Sequence, residues 1–281
     1  EVNTYKNFDT ELINKIYQNK KLDLEECKFE KAPNPNDYFI LSDGNSDVLV
    51  CYDAVMKEVK LVNKKSAYHI KPRNSEQTFA IDALMRKDIQ LVSITGRAGT
   101  GKTLLALTAA LHQSHDFFQI MLARPIVSLS DKDIGYLPGD AKEKIRPFMQ
   151  PLFDNINVIK QAAGFSSKDS HKIDDMLKDQ KLLIEPLAYI RGRSLANVFF
   201  IIDEAQNLTP HEVKTIITRA AEGTKIIFTG DIDQIDSPYL DDRSNGLSYL
   251  TDKMKNQKIF AHINLTKGER SHLAELASKL L

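Results

Sequence analysis

Cysteine is nearly missing from this chain of 281 residues: only Cys27 and Cys51 occur, and they show neither metal-ligand spacing nor a redox motif. That sets aside a disulfide scaffold and a cysteine metal site, and the pair reads as two buried thiols in a reducing compartment rather than a stray disulfide. An excess of either charge is missing too, because Lys+Arg and Asp+Glu both total 38. The balance removes composition as an argument for nucleic acid, although a basic stripe can coexist with acidic surface elsewhere. No apolar run approaches the roughly 20 residues that a membrane span needs, so no membrane partner is expected. No signal peptide opens the chain, which makes cytoplasmic the expected localisation. The first residue is Glu1 rather than Met, as in a fragment of something longer. Internal repeats and low-complexity segments are absent as well. The seven histidines form no ligand pattern; His112 and His115, three apart on one helix, read as satisfied surface residues. What remains is 42% hydrophobic and 27% charged, an ordinary globular composition with enough length for one large or two modest domains.

The pattern changes near residue 70. Before it, Leu12 to Tyr17 reads as a short helix. Tyr38–Leu41 and Val48–Tyr52 read as strands parted by the turn Ser42-Asp-Gly-Asn45, and Val59–Val62 is a candidate third. Residues 1–70 are therefore expected to form a small β-rich module, and a basic linker runs on through Lys64, Lys65, Lys71 and Arg73. From 71 to 281 apolar strand-like runs alternate with helical stretches. The runs are Ile89–Ile94, Gln119–Ala123, Leu182–Leu187, Val198–Ile202, Lys225–Phe228 and Ile259–Leu265; Thr103–His112 and Pro210–Ala221 are the clearest helices. Near-continuous apolar strands suit a parallel sheet covered on both faces, so an α/β fold with right-handed crossovers is expected, with ligands at the carboxyl ends of the strands.

The chemistry concentrates at those ends. Gly96-Arg97-Ala98-Gly99-Thr100-Gly101-Lys102-Thr103 is a complete G-x-x-x-x-G-K-[ST] P-loop, running from an apolar strand into a helix that continues with Leu104. Its glycines let backbone N–H groups close around phosphate. Lys102 would place its ammonium on the β- and γ-phosphates, and Thr103 would give its hydroxyl to Mg²⁺. Val198–Ile202 ends in Asp203-Glu204, where Asp203 would hold Mg²⁺ through water and Glu204 would polarise the attacking water. Gly230-Asp231-Ile-Asp-Gln234 follows another strand, and Gln234 would sense the γ-phosphate unless it is a plain loop residue. Upstream, Asn74 and Gln77 precede the first sheet strand. The Gln77 amide would pair with the N6 and N7 edge of adenine and select ATP, the alternative being a helix-surface glutamine.

The order Gln77, P-loop, Asp203-Glu-Ala-Gln206 and G-D-x-x-Q234 looks like superfamily 1 helicases. The wider match resembles PhoH-like ATPases: Arg124-Pro125, Gly135–Gly139, Lys144–Pro147, Tyr189–Ser194, Asp203–Asn207, Lys214–Arg219 and Gly268–Ser271 all resemble segments of that family. The resemblance covers about residues 70 to 281 and is similar in particular to the PhoH half of two-domain PIN–PhoH proteins. It implies a P-loop NTPase of RecA-like fold and a motor for single-stranded RNA, with DNA left open, behind a PIN ribonuclease in the parent protein. No acidic nuclease constellation precedes residue 70, so nuclease activity is not expected in this chain; its β-rich module resembles the connector between the two parts.

The family also suggests a homo-oligomer, a hexameric ring. A single lobe lacks a second one to close over the γ-phosphate, so Arg270 is read as a finger reaching a neighbouring subunit, or as the partner of Glu269 in a surface salt bridge. Arg191, Arg193 and Arg219 are its rivals. Lys142, Lys144 and Arg146 with Phe148 offer phosphate contacts and a stacking surface, or a solvated helix face. Three functions remain in order: an ATP-driven RNA-remodelling enzyme, a regulatory or assembly ATPase switch without unwinding, and a small-molecule kinase. The kinase is weakest, because Glu204 and Gln234 are arranged to activate the water a kinase must exclude.

Overall fold

A computed structural model describes residues 3–127, 141–190 and 192–268, with 141–146 followed by backbone alone. Its first part holds strand β1 (Thr4–Tyr5), helix α1 (Thr10–Asn19) and strands β2 (Lys21–Asp23), β3 (Tyr38–Ser42), β4 (Asp47–Asp53) and β5 (Glu58–Leu61). They form a five-stranded mixed sheet in the order β1-β3-β4-β5-β2. Aspartates close its hairpins. Asp43 Oδ1 accepts from the N–H groups of Asn45 and Ser46, and Asp53 Oδ1 from those of Val55 and Met56, as turn aspartates do. Helix α1, capped by Asp9, lays Ile13 and Ile16 onto Phe39, Leu41, Val48, Val50 and Val59. The helix and three strands expected here are present. β1 and β2, two and three residues long, carry too few side chains to show a period.

The remaining elements alternate: α2 (Ser75–Met85), β6 (Leu91–Gly96), α3 (Lys102–His112), β7 (Gln119–Arg124), α4 (Ala141–Ala163), α5 (Lys168–Lys178), β8 (Leu182–Pro186), α6 (Leu187–Ile190), β9 (Val198–Ile202), α7 (Pro210–Ile217), β10 (Lys225–Gly230), α8 (Gly246–Met254) and β11 (Phe260–Leu265). The six strands form one sheet in the order β11-β6-β10-β9-β7-β8, parallel at every junction. Alternation along a strand divides its side chains between two cores. In β9, Phe199 and Ile201 face the core shared with α2, α3, α4 and α5, while Val198, Phe200 and Ile202 face the one shared with α7 and α8. Both faces are therefore covered, as the near-continuous apolar runs require. One expected helix is shorter: α7 ends at Ile217 rather than Ala221, because the chain turns at Thr218 and Ala220 bridges to Leu195.

The two sheets meet at the amino ends of the parallel strands. Asn36 Nδ2 donates to the carbonyls of Lys258 and Phe260, and Tyr38 Oη donates to Asp82 at 2.9 Å. Arg86, at the carboxyl end of α2, donates to Asn36 Oδ1 and Cys51 Sγ and pairs with Asp88. Cys27 and Cys51 are free and buried. His112 accepts from the Tyr68 N–H and His115 contacts Lys172, so neither is a ligand in a cluster. No described helix is long and apolar enough to cross a membrane.

Candidate active site

Strand β6 ends in the P-loop between β11 and β10, at the carboxyl edge of the sheet. Gly96 takes φ +149°, and a Cβ there would lie 2.3 Å from the Leu265 carbonyl oxygen, so the loop leaves the strand only with glycine at this point. Gly101, at φ +91°, opens α3. Thr100 is buried and donates to the Arg97 carbonyl, tightening the loop on itself. Lys102 Nζ donates to the carbonyls of Gly96 (2.6 Å) and Arg97 (3.0 Å). Arg97 also lies 3.5 Å from Asp233 in an exposed pair.

The acidic pair stands beside the first turn of α3. Thr103 Oγ1 donates to Asp203 Oδ1 at 2.6 Å, and Thr229 Oγ1 donates to the same oxygen at 2.7 Å. Asp203 is buried, so these two hydroxyls compensate a carboxylate taken out of water. A hydroxyl and a carboxylate converging here form the hard oxygen donor set that Mg²⁺ takes beside phosphates and water, and the pair fits such an ion. Among the described residues no group of three or more His, Cys, Asp or Glu side chains forms a separate metal cluster. Glu204 follows at φ 54°, and both its oxygens are engaged: Oε1 accepts from Arg124 Nη2 (2.8 Å) and Oε2 from Gln206 Nε2 (2.6 Å).

Gln206 was not among the residues expected to act, yet it joins three parts of the site. Fully buried, it also donates to the Gln234 carbonyl and accepts from the Asp231 N–H. Asp231 in turn accepts from the P-loop N–H of Ala98 at 3.0 Å. A chain of bonds thus runs from Ala98 through Asp231 and Gln206 to Glu204 and Arg124. The signal for it was present as Gln and Asp at the ends of two apolar strands, but adjacency across strands is not written in one dimension. Gln234 lies at this site with its side chain exposed, and its backbone carbonyl is what Gln206 holds.

Upstream, the two expected residues have partners within the protein. Asn74 is the N-cap of α2: its side-chain oxygen accepts from the Gln77 N–H. Gln77 is buried rather than a surface residue, and its amide spans the protein, Oε1 accepting from the Arg73 N–H and Nε2 donating to the Thr100 carbonyl. It borders a pocket of about 400 Å³ walled by His69, Ile70, Arg73, Gly99, Leu104 and Val158, next to the P-loop. Glu76, also buried, accepts from the N–H groups of Thr266 and Lys267 and fastens α2 to the end of β11. Arg270, Arg191 and the Gly135–Gly139 turn lie outside the described residues, as do the side chains of Lys142, Lys144 and Arg146. Arg193 and Arg219 contact each other, Arg219 Nη2 donating to the Arg193 carbonyl, and among the described residues neither bonds the P-loop network.

A family model described as "PhoH-like protein" matches residues 69–280. Protein PhoH2 of Bacillus subtilis (strain 168) is 43% identical over 281 residues, covering 96% of this chain and 62% of the relative. Protein PhoH2 of Mycolicibacterium smegmatis is 32% identical over 241 residues, covering 85% of this chain and 53% of the relative. The chain therefore spans little more than half the length of these relatives. Among solved structures, the crystal structure of Pif1 helicase from Candida albicans overlaps with a TM-score of 0.35 at 16% identity, covering 70% of this chain and 40% of that one. The P-loop, the α/β fold and the family match together support a nucleotide-dependent ATPase. With a matching family model over most of its length and relatives that align across nearly all of it, the chain belongs to the PhoH-like family.

Proposed function

We propose that this chain hydrolyses ATP with Mg²⁺ and couples hydrolysis to the remodelling or unwinding of single-stranded RNA, as the motor part of a longer cytoplasmic PIN–PhoH protein. The observation that carries the reading is the Thr103–Asp203 contact with Glu204 one residue further on, all beside the P-loop. The P-loop N–H groups cradle the phosphates and Lys102 neutralises the β- and γ-oxygens. Thr103 and Asp203 would hold Mg²⁺, which supplies charge neutralisation on those oxygens. Glu204 orients and polarises the attacking water, and the exposed amide of Gln234 reports on the γ-phosphate. The pocket beside Gln77 takes the adenine.

RNA is the chosen polymer because of the family resemblance of residues 70 to 281, with Lys142, Lys144, Arg146 and Phe148 as its contacts. A hexameric ring with Arg270 reaching the neighbouring γ-phosphate completes the reading, and residues 1–70 serve as the connector to the preceding nuclease. The test is ATP turnover with and without single-stranded RNA. RNA should accelerate turnover, and binding should weaken with salt at a log–log slope near −0.7 per neutralised phosphate. If no RNA or DNA changes the rate at low salt, the chain is an ATPase switch instead.

A further inference from the structure

We propose that Arg124 is the positioning residue of the hydrolytic carboxylate: its guanidinium fixes the direction of Glu204, so that turnover depends on the pair while nucleotide binding does not. The inference rests on reading Glu204 as the group that polarises the attacking water.

Sheet register brings the two together. Ala123 of β7 is level with Ile202 of β9, and the Asp203 N–H donates to the Ala123 carbonyl at 2.8 Å. Arg124 therefore leaves its strand beside the acidic pair, 80 residues away in sequence. Glu204 has left the strand conformation, with φ 54° and ψ 39°, a region that side-chain-bearing residues rarely adopt. From that backbone a glutamate with three rotatable bonds can sweep a wide arc, and only its side-chain partners choose one direction. There are two. Gln206 is held at two further points and provides a neutral backstop on Oε2. Arg124 provides the charged contact on Oε1 at 2.8 Å. The pair is mostly shielded, with the two side chains 23% and 30% exposed, unlike the open surface pairs that hold nothing in place. A carboxylate clamped from both sides is preorganised for one line of approach, which is what a group that must meet a water in line with phosphate requires.

A double-mutant cycle on the whole chain tests this, with kcat, KM, ATP binding and thermal melting measured for Arg124→Ala, Arg124→Lys, Glu204→Gln and Arg124→Ala/Glu204→Gln. Arg124→Ala should lower kcat by about 10- to 100-fold and leave KM and ATP binding within about threefold. Arg124→Lys should recover part of the loss, because the contact uses a single N–H donor. The double variant should be no slower than Glu204→Gln alone, to within about threefold, since a residue that acts only through Glu204 has nothing left to position. Losses that multiply in the double variant, a fall in ATP binding that matches the fall in kcat, or an Arg124→Ala protein as fast as wild type would each overturn the proposal. If Arg124→Ala fails to fold, Arg124→Met takes its place in the same cycle, since its stem keeps the packing and loses only the donors. Glu204→Gln with wild-type turnover would instead remove the reading of Glu204, and a slow Glu204→Gln beside a fast Arg124→Ala removes only the role of Arg124.

Discussion

The parallel sheet has two polar ends, and they use buried hydrogen bonds for opposite purposes. At the carboxyl end, Thr103 bonds Asp203, and a separate chain links Ala98, Asp231, Gln206, Glu204 and Arg124, so the bonds gather the P-loop and the acidic pair. At the amino end, Asn36 and Lys225 donate to backbone carbonyls while Arg86 bonds the side chains of Asn36, Cys51 and Asp88, tying the mixed sheet and α2 to the strands. Polar groups in low dielectric are strong in both places. What separates the ends is what the bonds join: the P-loop and the acidic pair at one, where chemistry is proposed, and the mixed sheet, α2 and the parallel strands at the other. Helix α2 touches both, with Gln77 against the P-loop and Asp82 and Arg86 against the mixed sheet.

The largest expected effect lies at the carboxyl end. Lys102→Ala removes the one P-loop ammonium, so ATP binding and turnover should be lost together, turnover by about 10³-fold or more. Near-normal turnover in that variant would erase the distinction between the ends altogether. Glu204→Gln keeps the shape of the side chain and loses its charge. Turnover should fall by roughly 10²-fold while ATP still binds, as read by single-turnover kinetics beside equilibrium binding. If binding collapses as far as turnover, Glu204 belongs with the anchoring groups.

Those two residues were legible in one dimension, and so was most of the fold. An apolar run such as Val198–Ile202 needs two covered faces wherever it occurs, and a P-loop is a local object whose glycines, lysine and threonine sit within eight positions. The missed residues share another property. Arg124, Gln206 and Asp231 take their meaning from strand order, which places β10 between β6 and β9 and β7 beyond β9. Asn74 shows the converse: a side chain read as a ligand contact also caps its own helix. The short strands β1 and β2 were invisible because pairing, not periodicity, defines them.

The amino end should answer in stability rather than rate. Arg86→Ala strips donors from Asn36 and Cys51 and leaves partly buried acceptors behind, with an expected loss of about 2–4 kcal/mol. Urea unfolding measures it, and KM for ATP should not change. A raised KM with unchanged stability would mean that α2 transmits the state of the mixed sheet to the pocket beside Gln77.

Lys225 sharpens the comparison most finely. It is buried at the start of β10 and donates to the carbonyls of Ala83 and Arg86, capping α2 from another strand. Burial pushes its pKa down to about 7, assisted by the nearby Arg86 and opposed by Asp88 and Asp82. The sign follows from proton counts. Between about pH 7 and the ordinary lysine value near 10.4, the unfolded chain holds a proton on Lys225 that the folded chain has released. Unfolding then takes up a proton, so this group makes stability rise with pH through that window and fall as pH drops toward 7. Below about 7 both states are protonated and its contribution is flat. The slope is about 1.4 kcal/mol per pH unit for one proton. Lys225→Met removes the titrating group and keeps the apolar stem, so the rise in unfolding free energy between pH 7.5 and 9.5 should shrink by about one proton's worth. Urea midpoints at matched ionic strength read it. An unchanged slope would mean that Lys225 keeps its charge in the folded chain, with the carbonyls of Ala83 and Arg86 stabilising the ammonium more than burial costs it. The amino end would then hold a buried charge on main-chain oxygens, and the contrast between the ends would come down to what each set of bonds joins.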